Sequence, residues 1–480
     1  MLKRVSIGMN PEHYFILHDG RVIKSLEELM VVIKTIDKKL FEYHANQSKN
    51  DFANWIKYVF KAGVLAETIS DYTYSDRHKF IASIKKHISE KKILIINAGS
   101  STLKFQVIEL VSKDILIRGV IDAINSDRCS LKITTNHSED LRKVMVHNHE
   151  EALLLALKTL TDNEIVGDIL DIKAVAHRVV HGGEYYRDAV LIDAEVISKL
   201  QELCSIAPLH NPHNIACIQA CQKHIPCPQV AVFDTAFHST IPKEKYLYGL
   251  PFDYYEKYGI RKFGFHGTSH KYIAKLVQEY YKVKKKDAQR IIICHLGNGC
   301  SITAVRNGKS FNTTMGFSPT DGLIMGTRTG SIDPFLVVHL QKSLGLNNGD
   351  LSKLLNKESG LLGISGYSDM RDIWKNHKDD NCSLAMDMFC DRITHYIGAY
   401  VAELNGVDAI VFTAGIGENA FYVRKKVLEN FRFLGLKLDD KKNEQNEFII
   451  TTKDSKIECL VIATNEELQM AMEAKKLLKI

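Results

Sequence analysis

Two arginines, a histidine between glycines and several glycine-rich turns are the residues here with chemistry to offer. Arg178 sits inside Val175-Ala-His-Arg-Val-Val-His-Gly-Gly183, and Arg328 inside Gly326-Thr-Arg-Thr-Gly330. A guanidinium among apolar neighbours must be paired or must wait for an anion, and its planar fork suits carboxylate or phosphate. His266 stands between Gly264 and Gly267, and His210 lies in Ala207-Pro-Leu-His-Asn-Pro-His-Asn214, where the prolines restrict the backbone. Asp234 closes the apolar run Gln229–Phe233; it either faces a ligand cleft or caps the turn that follows. Two turns could hold phosphate oxygens. Asn97-Ala-Gly-Ser-Ser-Thr-Leu-Lys104 offers hydroxyls and a lysine, while Gly297-Asn-Gly299 precedes a polar stretch with glycines at 316, 322, 326 and 330. Glycine lets backbone N–H groups converge on oxygen, which a plain core segment would not need.

Strands must carry these turns. Ile93–Ile96 reads as a buried strand that enters the first turn and returns through Phe105, Val107 and Ile108. Ile291–Cys294 repeats the plan and returns through Ser301–Val305. Two strand–turn–strand units far apart in the chain point to a duplicated domain with a phosphate hairpin in each half. Such halves could clamp a nucleotide between two lobes. Three further clusters have bland readings as well as functional ones. Ala409–Thr413 is a strand leading into Ala414-Gly-Ile-Gly-Glu-Asn419, a glycine-rich strand-to-helix turn that could take a nucleoside or phosphate at the helix N-terminus. Asp369-Met-Arg371 could be no more than a loop charge pair. Glu466 and Glu467, in Thr464-Asn-Glu-Glu467, could simply be first-turn acids complementing a helix dipole.

Composition narrows the classes. A chain of 480 residues exceeds one core, and about three domains are expected. A hydrophobic share of 45% and a charged share of 25% are those of an ordinary globular protein, and the net charge of +6 is small for this length. Basic residues form only short runs, such as Lys284–Lys286, so no nucleic-acid partner is expected. There is no membrane-length apolar run and no signal-peptide layout. The ten cysteines are scattered without paired spacing, which suits reduced thiols and a cytoplasmic protein.

Residues 1–90 read as a separate small all-α module. Ser25 and Glu28 suggest a capping box, followed by Leu29, Val32, Ile33, Ile36 and Leu40 at helical spacing. A second stripe holds Phe52, Trp55, Ile56, Val59 and Phe60, beyond a polar break at His44–Asn50; a third, weaker one holds Phe80, Ile81, Ile84 and Ile88. The stretch FEYHANQSKNDFANWIKYVF resembles a small domain of unknown function with an NDFxNWI-like signature, a resemblance that names no chemistry. His44, Asn50, Asp51 and Asn54 read as helix caps and loop hydrogen bonds around Trp55.

From residue 92 onward these clusters, in this order, resemble the acetate kinase family. The resemblance implies two related α/β lobes of the ribonuclease H-like (actin-like ATPase) kind around a central cleft. The implied boundaries are 91–240 for the N-terminal lobe, completed by the terminal helix 467–480, and 241–466 for the nucleotide-binding lobe. The implied reaction moves a phosphoryl group reversibly between ATP and acetate, giving ADP and acetyl phosphate, with Mg2+, for which Mn2+ could substitute.

Carried over motif by motif, Asn97 and Glu466 resemble the residues that organise the metal, and Arg178 and Arg328 the pair that positions acetate and steadies the moving phosphoryl. His266 resembles the histidine that hydrogen-bonds that group, with His210 in support and Asp234 beside acetate and metal. Lys104, Gly297, Asn298, Gly299, Asp369, Arg371, Gly415, Gly417 and Asn419 form the implied ATP-binding set. Val180, Leu209, Phe265 and Pro319 form the implied methyl pocket. The family is typically homodimeric, and a homodimer is expected here.

The chain departs from the family pattern at Thr102, where serine is usual, at Asn312, where aspartate is common, and at Cys300; the largest departure is the added N-terminal module. Two other readings stay open. A propionate or other short-chain acyl kinase differs only by pocket size, and one methylene is worth about 1–3 kcal/mol. A nucleotide-driven binding protein without kinase activity is disfavoured, because it has no use for an acyl-binding arginine pair.

Overall fold

The computed structural model describes residues 13–480 apart from residues 61, 90, 91, 136, 137, 209, 286 and 287. The N-terminal module holds helices Leu26–Thr35, Lys38–His44, Asp51–Val59, Gly63–Ile69 and Arg77–Ser89. It is not all-α. β1 (Phe15–Ile16) pairs antiparallel with β2 (Val22–Ile23), and β3 (Ala45–Asn46) with β4 (Lys49–Asn50). The stretch read as a polar break closes as this second hairpin because the Asn46 side chain accepts the Ser48 N–H at 2.9 Å, an Asx turn. The expected capping box is half formed: Ser25 Oγ accepts the Glu28 N–H, but the Glu28 carboxylate reaches the N–H of Lys24. Leu29, Ile33, Phe41, Phe52, Ile56 and Phe80 fill the module's core, and Val111 of the next domain packs against it.

An eight-stranded sheet follows. Its strands are β5 (Lys92–Ala98), β6 (Leu103–Glu109), β7 (Ile115–Asp122), β8 (Ser130–Thr135), β9 (Glu139–Lys143), β10 (Ile172–Val179), β11 (Val190–Leu191) and β12 (Gln229–Phe233). They lie in the order β11-β12-β10-β5-β6-β7-β8-β9. A five-stranded sheet comprises β13 (Arg290–Leu296), β14 (Cys300–Arg306), β15 (Lys309–Thr313), β16 (Ala409–Thr413) and β17 (Glu458–Val461), in the order β15-β14-β13-β16-β17.

The two sheets share one plan. In each, an antiparallel meander (β5-β6-β7, β13-β14-β15) has two parallel strands added on the far side of its first strand (β10 and β12, β16 and β17). This is the ribonuclease H-like arrangement of actin-like ATPases, present twice. The repeat read from the two hairpins is therefore real.

Both faces are covered around β5, β10 and β12 and around β13 and β16, which is why the first strands read as unbroken apolar runs, whereas β9 is exposed along its length. Leu94 and Ile96 enter one core with Cys217 and Cys221, while Ile93 and Ile95 enter another with Met470, Ala471 and Ala474 of the terminal helix Glu466–Leu478. In the second sheet Ile291 and Ile293 face the helix Gly267–Val283, and Ile292 and Cys294 face the helix Asp380–Glu403. Alternation along a strand sends successive side chains to opposite layers. Val180, just beyond β10, joins the core cluster of the second sheet; the lobes meet there.

Candidate active site

Three neighbouring parallel strands end at one place. β5 carries Asn97, β10 carries Arg178, and Asp234 follows β12 directly. Arg178 donates from Nε to Asp234 Oδ1 at 3.1 Å, from Nη2 to Oδ2 at 2.6 Å, and from Nη1 to Asn97 Oδ1 at 3.3 Å. Asp234 is 2% exposed and Arg178 25% exposed, so part of the guanidinium still faces open space. Burial presses the arginine toward losing its proton; the Asp234 and Glu466 carboxylates overcome this and hold its pKa above the ordinary value. A two-point ion pair of this kind fixes the plane of the fork.

The second lobe supplies the facing wall. His266 begins the helix Gly267–Val283 in a left-handed conformation, φ 56°, which histidine rarely adopts. Gly267 follows, its N–H bonded to the Asp234 carbonyl at 2.9 Å; a Cβ there would come within 2.1 Å of that oxygen. The backbone of one lobe thus docks on the other at the site itself. His266 Nδ1 lies 2.9 Å from Ser301 Oγ, and its ring packs against His295, tilted by 31°, at 4.3 Å between centroids. Burial first, then His295, His270, Arg178 and Arg328, push its pKa well below the ordinary value, so the ring is neutral.

Arg328 is in a different state from Arg178. Its Nη1 donates to the Pro319 carbonyl at 3.1 Å, and it forms no ion pair with any described residue. Burial presses its pKa down; Cys300 opposes this and Arg178 adds a smaller repulsion, and burial prevails. A Cβ on Gly299 would lie 3.3 Å from His266 Nε2 and 3.6 Å from Arg328 Nη1, so the glycine lets imidazole and guanidinium converge. His210 precedes the helix Asn211–His224 without using its side chain as a cap. Burial, then Arg178 and Arg328, lower its pKa. The arrangement is an anion receptor with two cations, a neutral imidazole and one committed carboxylate.

The other expected residues fall around it. Val180 and Phe265 lie in one apolar cluster with Leu323, Ile324 and Met325, and the Pro319 carbonyl is fixed to Arg328. Leu209 lies outside the described residues. Asn298 is exposed, and a Cβ on Gly326 would stand 2.0 Å from its Oδ1 and 3.0 Å from the Ser368 carbonyl. That contact brings Asn298 beside the loop of Asp369 and Arg371. Those two form a forked pair, with Arg371 87% exposed and Asp369 capping the helix Met370–Lys375. Gly297 neighbours Ala414, and Gly417 packs on Cys294 and Phe412.

The stretch Ala414–Asn419 was expected as a turn ahead of a helix. It is itself a six-residue helix, entered through Ala414 at φ 64°, and Asn419 Nδ2 bonds back to the Gly415 carbonyl at 2.8 Å. Gly415 meets only open space.

Glu466 opens the terminal helix, half-buried. Desolvation pushes its carboxyl up to about 7; Arg178 opposes this, Asp234 and Glu467 reinforce it, and Lys104 opposes it weakly. An Asn97 amide and a carboxylate crowded by other negative charge suit a hard cation held mainly through phosphates and water. Among the described residues no group of three or more His, Cys, Asp and Glu side chains could form an all-protein cage.

Asn312 accepts Lys262 Nζ at 3.2 Å and donates to both Glu403 oxygens at 3.0 Å. An aspartate there would repel Glu403, so the substitution matches its local partners. Several residues escaped the sequence reading. Asn214 joins the Ala98 carbonyl to the Val180 N–H, and Asn211 clasps the backbone of His181. His270, His295, Ser269 and Ser301 form a hydroxyl–imidazole network behind His266. The i,i+4 spacing of His266 and His270 at a helix start was the available signal.

The family model described as "Acetokinase family" matches residues 92–472. The acetate kinase of Carboxydothermus hydrogenoformans is 48% identical over 394 residues, covering 80% of this chain and 99% of the relative. Among solved structures, a Porphyromonas gingivalis acetate kinase superposes with a TM-score of 0.76 at 38% identity, over 81% of this chain and all of that one. A Francisella tularensis propionate kinase gives 0.77 at 39% identity with the same coverage.

Proposed function

The chain belongs to the acetokinase family, and from that premise we propose that it is an acetate kinase: it transfers the γ-phosphoryl of ATP to acetate, reversibly, giving acetyl phosphate and ADP. The observation that carries this reading is Arg328, a largely buried guanidinium with no carboxylate partner among the described residues, converging with His266 beside Gly299. Phosphoryl transfer asks the protein to hold two anions in line and to spread charge, and it needs no protein nucleophile. The acetate carboxylate is ionised at neutral pH, so no general base is required.

We assign Arg178, held flat by Asp234, and Arg328 to the acetate and transferring groups, with His266 donating to the phosphoryl and His210 in support. Val180, Leu209, Phe265 and Pro319 surround the methyl group. Lys104, Gly297, Asn298, Gly299, Asp369, Arg371, Gly415, Gly417 and Asn419 take the nucleotide. Asn97 and Glu466 would hold Mg2+, which when bound neutralises phosphate charge. We take residues 91–240 with 467–480, and residues 241–466, as the two catalytic lobes.

A homodimer fits the helix Pro334–Leu344, none of whose residues is buried although Phe335, Leu336, Val338 and Leu344 are large and apolar. Ten unpaired cysteines fit a reducing compartment, the cytoplasm. No helix among the described residues is long and apolar enough to cross a membrane.

A hydroxylamine trap for acyl phosphate, run with acetate, propionate and butyrate, tests the reading. Acetate is expected to give the highest kcat/KM. No product with any acid would sink the kinase assignment, and a propionate preference would favour the second reading, to which the similar propionate kinase structure lends weight.

A further inference from the structure

Ser301 Oγ lies between two imidazoles, 2.9 Å from His266 Nδ1 and 2.7 Å from His270 Nε2. Ser301 and His270 are 0% exposed, while His266 is half-buried. A hydroxyl has one proton and can donate to only one of the two rings, so the other ring must donate to it. Neither ring is an imidazolium, because burial and neighbouring imidazoles push both pKa values well below the ordinary one.

Oγ could also accept from both rings, but its own buried O–H would then lack an acceptor among the described residues; two proton arrangements remain, and His270 decides between them. Its Nδ1 is buried and has no hydrogen-bond partner among the described residues. If Ser301 donated to His270, the His270 proton would sit on Nδ1 as a buried, unpaired N–H. If His270 donates from Nε2, only a lone pair is left bare at Nδ1. Orphaned buried N–H groups are the rarer and costlier fault.

We propose that His270 and Ser301 are positioning residues that hold His266 with Nδ1 bare and the proton on Nε2, so that it meets the transferring phosphoryl as a neutral hydrogen-bond donor. The chain runs from His270 Nε2–H to Ser301 Oγ, and from Ser301 O–H to His266 Nδ1. The Nε2 atom beside Gly299 and Arg328 is then an N–H facing the cleft. The opposite tautomer would present a lone pair to phosphate oxygens and repel them.

A neighbour uses the same device. His238 donates from Nε2 to the Phe265 carbonyl at 2.9 Å and so accepts from Ser310 Oγ at Nδ1, 2.8 Å away. The left-handed start at His266 keeps its ring at the mouth of the relay, and the tilted packing against His295 restricts its rotation. The assignment of His266's role rests on the phosphoryl-transfer reading; the tautomer itself does not.

The test has two parts. Full-length protein labelled with 15N-histidine is studied by long-range 1H–15N NMR, with His266 and His270 assigned from the signals lost in His266→Gln and His270→Gln. Both rings are expected as the Nε2–H tautomer. A proton on Nδ1 of His266 overturns the proposal, whatever any variant does. The second part is kinetic. Ser301→Ala and His270→Phe are expected to lower kcat about tenfold or more, with KM for acetate and ATP within about twofold. His270→Gln, whose amide can donate near the Nε2 position, is expected to recover most of the loss. Unchanged kcat in the first two variants, or no recovery in the third, also overturns it. A wild-type protein that makes no acyl phosphate would refute the kinase reading while leaving the NMR result to stand.

Discussion

The carboxylate of Asp234 takes two hydrogen bonds from the guanidinium of Arg178, at 3.1 and 2.6 Å, across the adjacent strands β12 and β10. The acid thus has both oxygens engaged by the guanidinium, although each keeps a lone pair that could accept a further donor. Its work is to set the plane of the arginine, while the Asp234 backbone carbonyl receives the second lobe through Gly267. One residue thus fixes both an anion-binding group and the approach of the opposite wall.

Replacing Asp234 by asparagine keeps the shape and removes the charge. One of the two contacts becomes an N–H facing an N–H, so Arg178 turns away. We expect kcat/KM for acetate to fall by about 10²-fold, in line with the loss of a positioned charge clamp. Steady-state kinetics with the hydroxamate assay measure it; a value within threefold of wild type would mean that Asp234 does not hold Arg178 for catalysis.

Arg328 predicts the opposite balance between activity and stability. It is largely buried, is repelled by Arg178 and lacks a carboxylate partner among the described residues, so the empty site carries an uncompensated charge. Arg328→Met should lower kcat about 10²-fold or more and leave the ligand-free protein as stable as wild type or more so. Thermal unfolding with and without added phosphate separates the effects: the anion should stabilise wild type and not the variant. A clear drop in the midpoint of the unliganded variant would count against this account.

Much of this was legible in the sequence because a few local rules sufficed. The unbroken run Ile291–Cys294 and the turn after it specify a strand covered on both faces, and the matching run Ile93–Ile96 reveals the duplication. Arg178 and Asp234 stood out as polar groups at the ends of apolar strands. What stayed hidden depends on contacts distant in the chain. Nothing near Asp234 says that Arg178, 56 residues away in sequence, binds both its oxygens. Nothing near Ser301 says that two histidines of another helix converge on it. The β3–β4 hairpin was missed because each strand is only two residues long, too short for any alternation to show.

Gly326 tests the nucleotide side. A methyl group there would meet Asn298 Oδ1 at 2.0 Å and the Ser368 carbonyl at 3.0 Å. The Asn298 side chain can swing aside, but the backbone at Ser368 cannot do so without moving the Asp369 loop. Gly326→Ala is therefore expected to raise KM for ATP about tenfold while changing KM for acetate little. Equal changes in both constants would show that the loop serves the acyl end instead.

The N-terminal module touches the first lobe through Val111, in the turn after β6. The Gly99–Thr102 turn lies at the other end of the β5–β6 pair, about 20 Å away for strands of seven residues. Deleting residues 1–88 should leave kcat within about twofold and lower stability, because Val111 loses its cover. A large loss of kcat in a folded deletion protein would assign the module a part in turnover.

Acid should unfold this protein earlier than its carboxylates alone would. His177, His181, His238 and His295 are buried, and desolvation lowers each pKa to about 4. The unfolded chain binds protons at these positions near the ordinary value of 6.5, so between about pH 6.5 and 4 it holds more protons than the folded one. Stability is then fully present above pH 6.5 and is lost as pH falls through that window. The upper limit is about 3 kcal/mol for each ring, less where one opening event wets several. Glu466 works in the other direction. Raised to about 7, it takes up its proton more readily when folded, but it is one group against four. Asp76 and Asp454, lowered to about 2, add their losses only below pH 4. Urea titrations from pH 7.5 to 4.5 should show the midpoint falling steadily below pH 6.5. His238→Gln, which can keep bonds to both Ser310 and the Phe265 carbonyl, should flatten that fall. A midpoint that holds constant or rises down to pH 5 would mean that these imidazoles are already protonated in the folded protein.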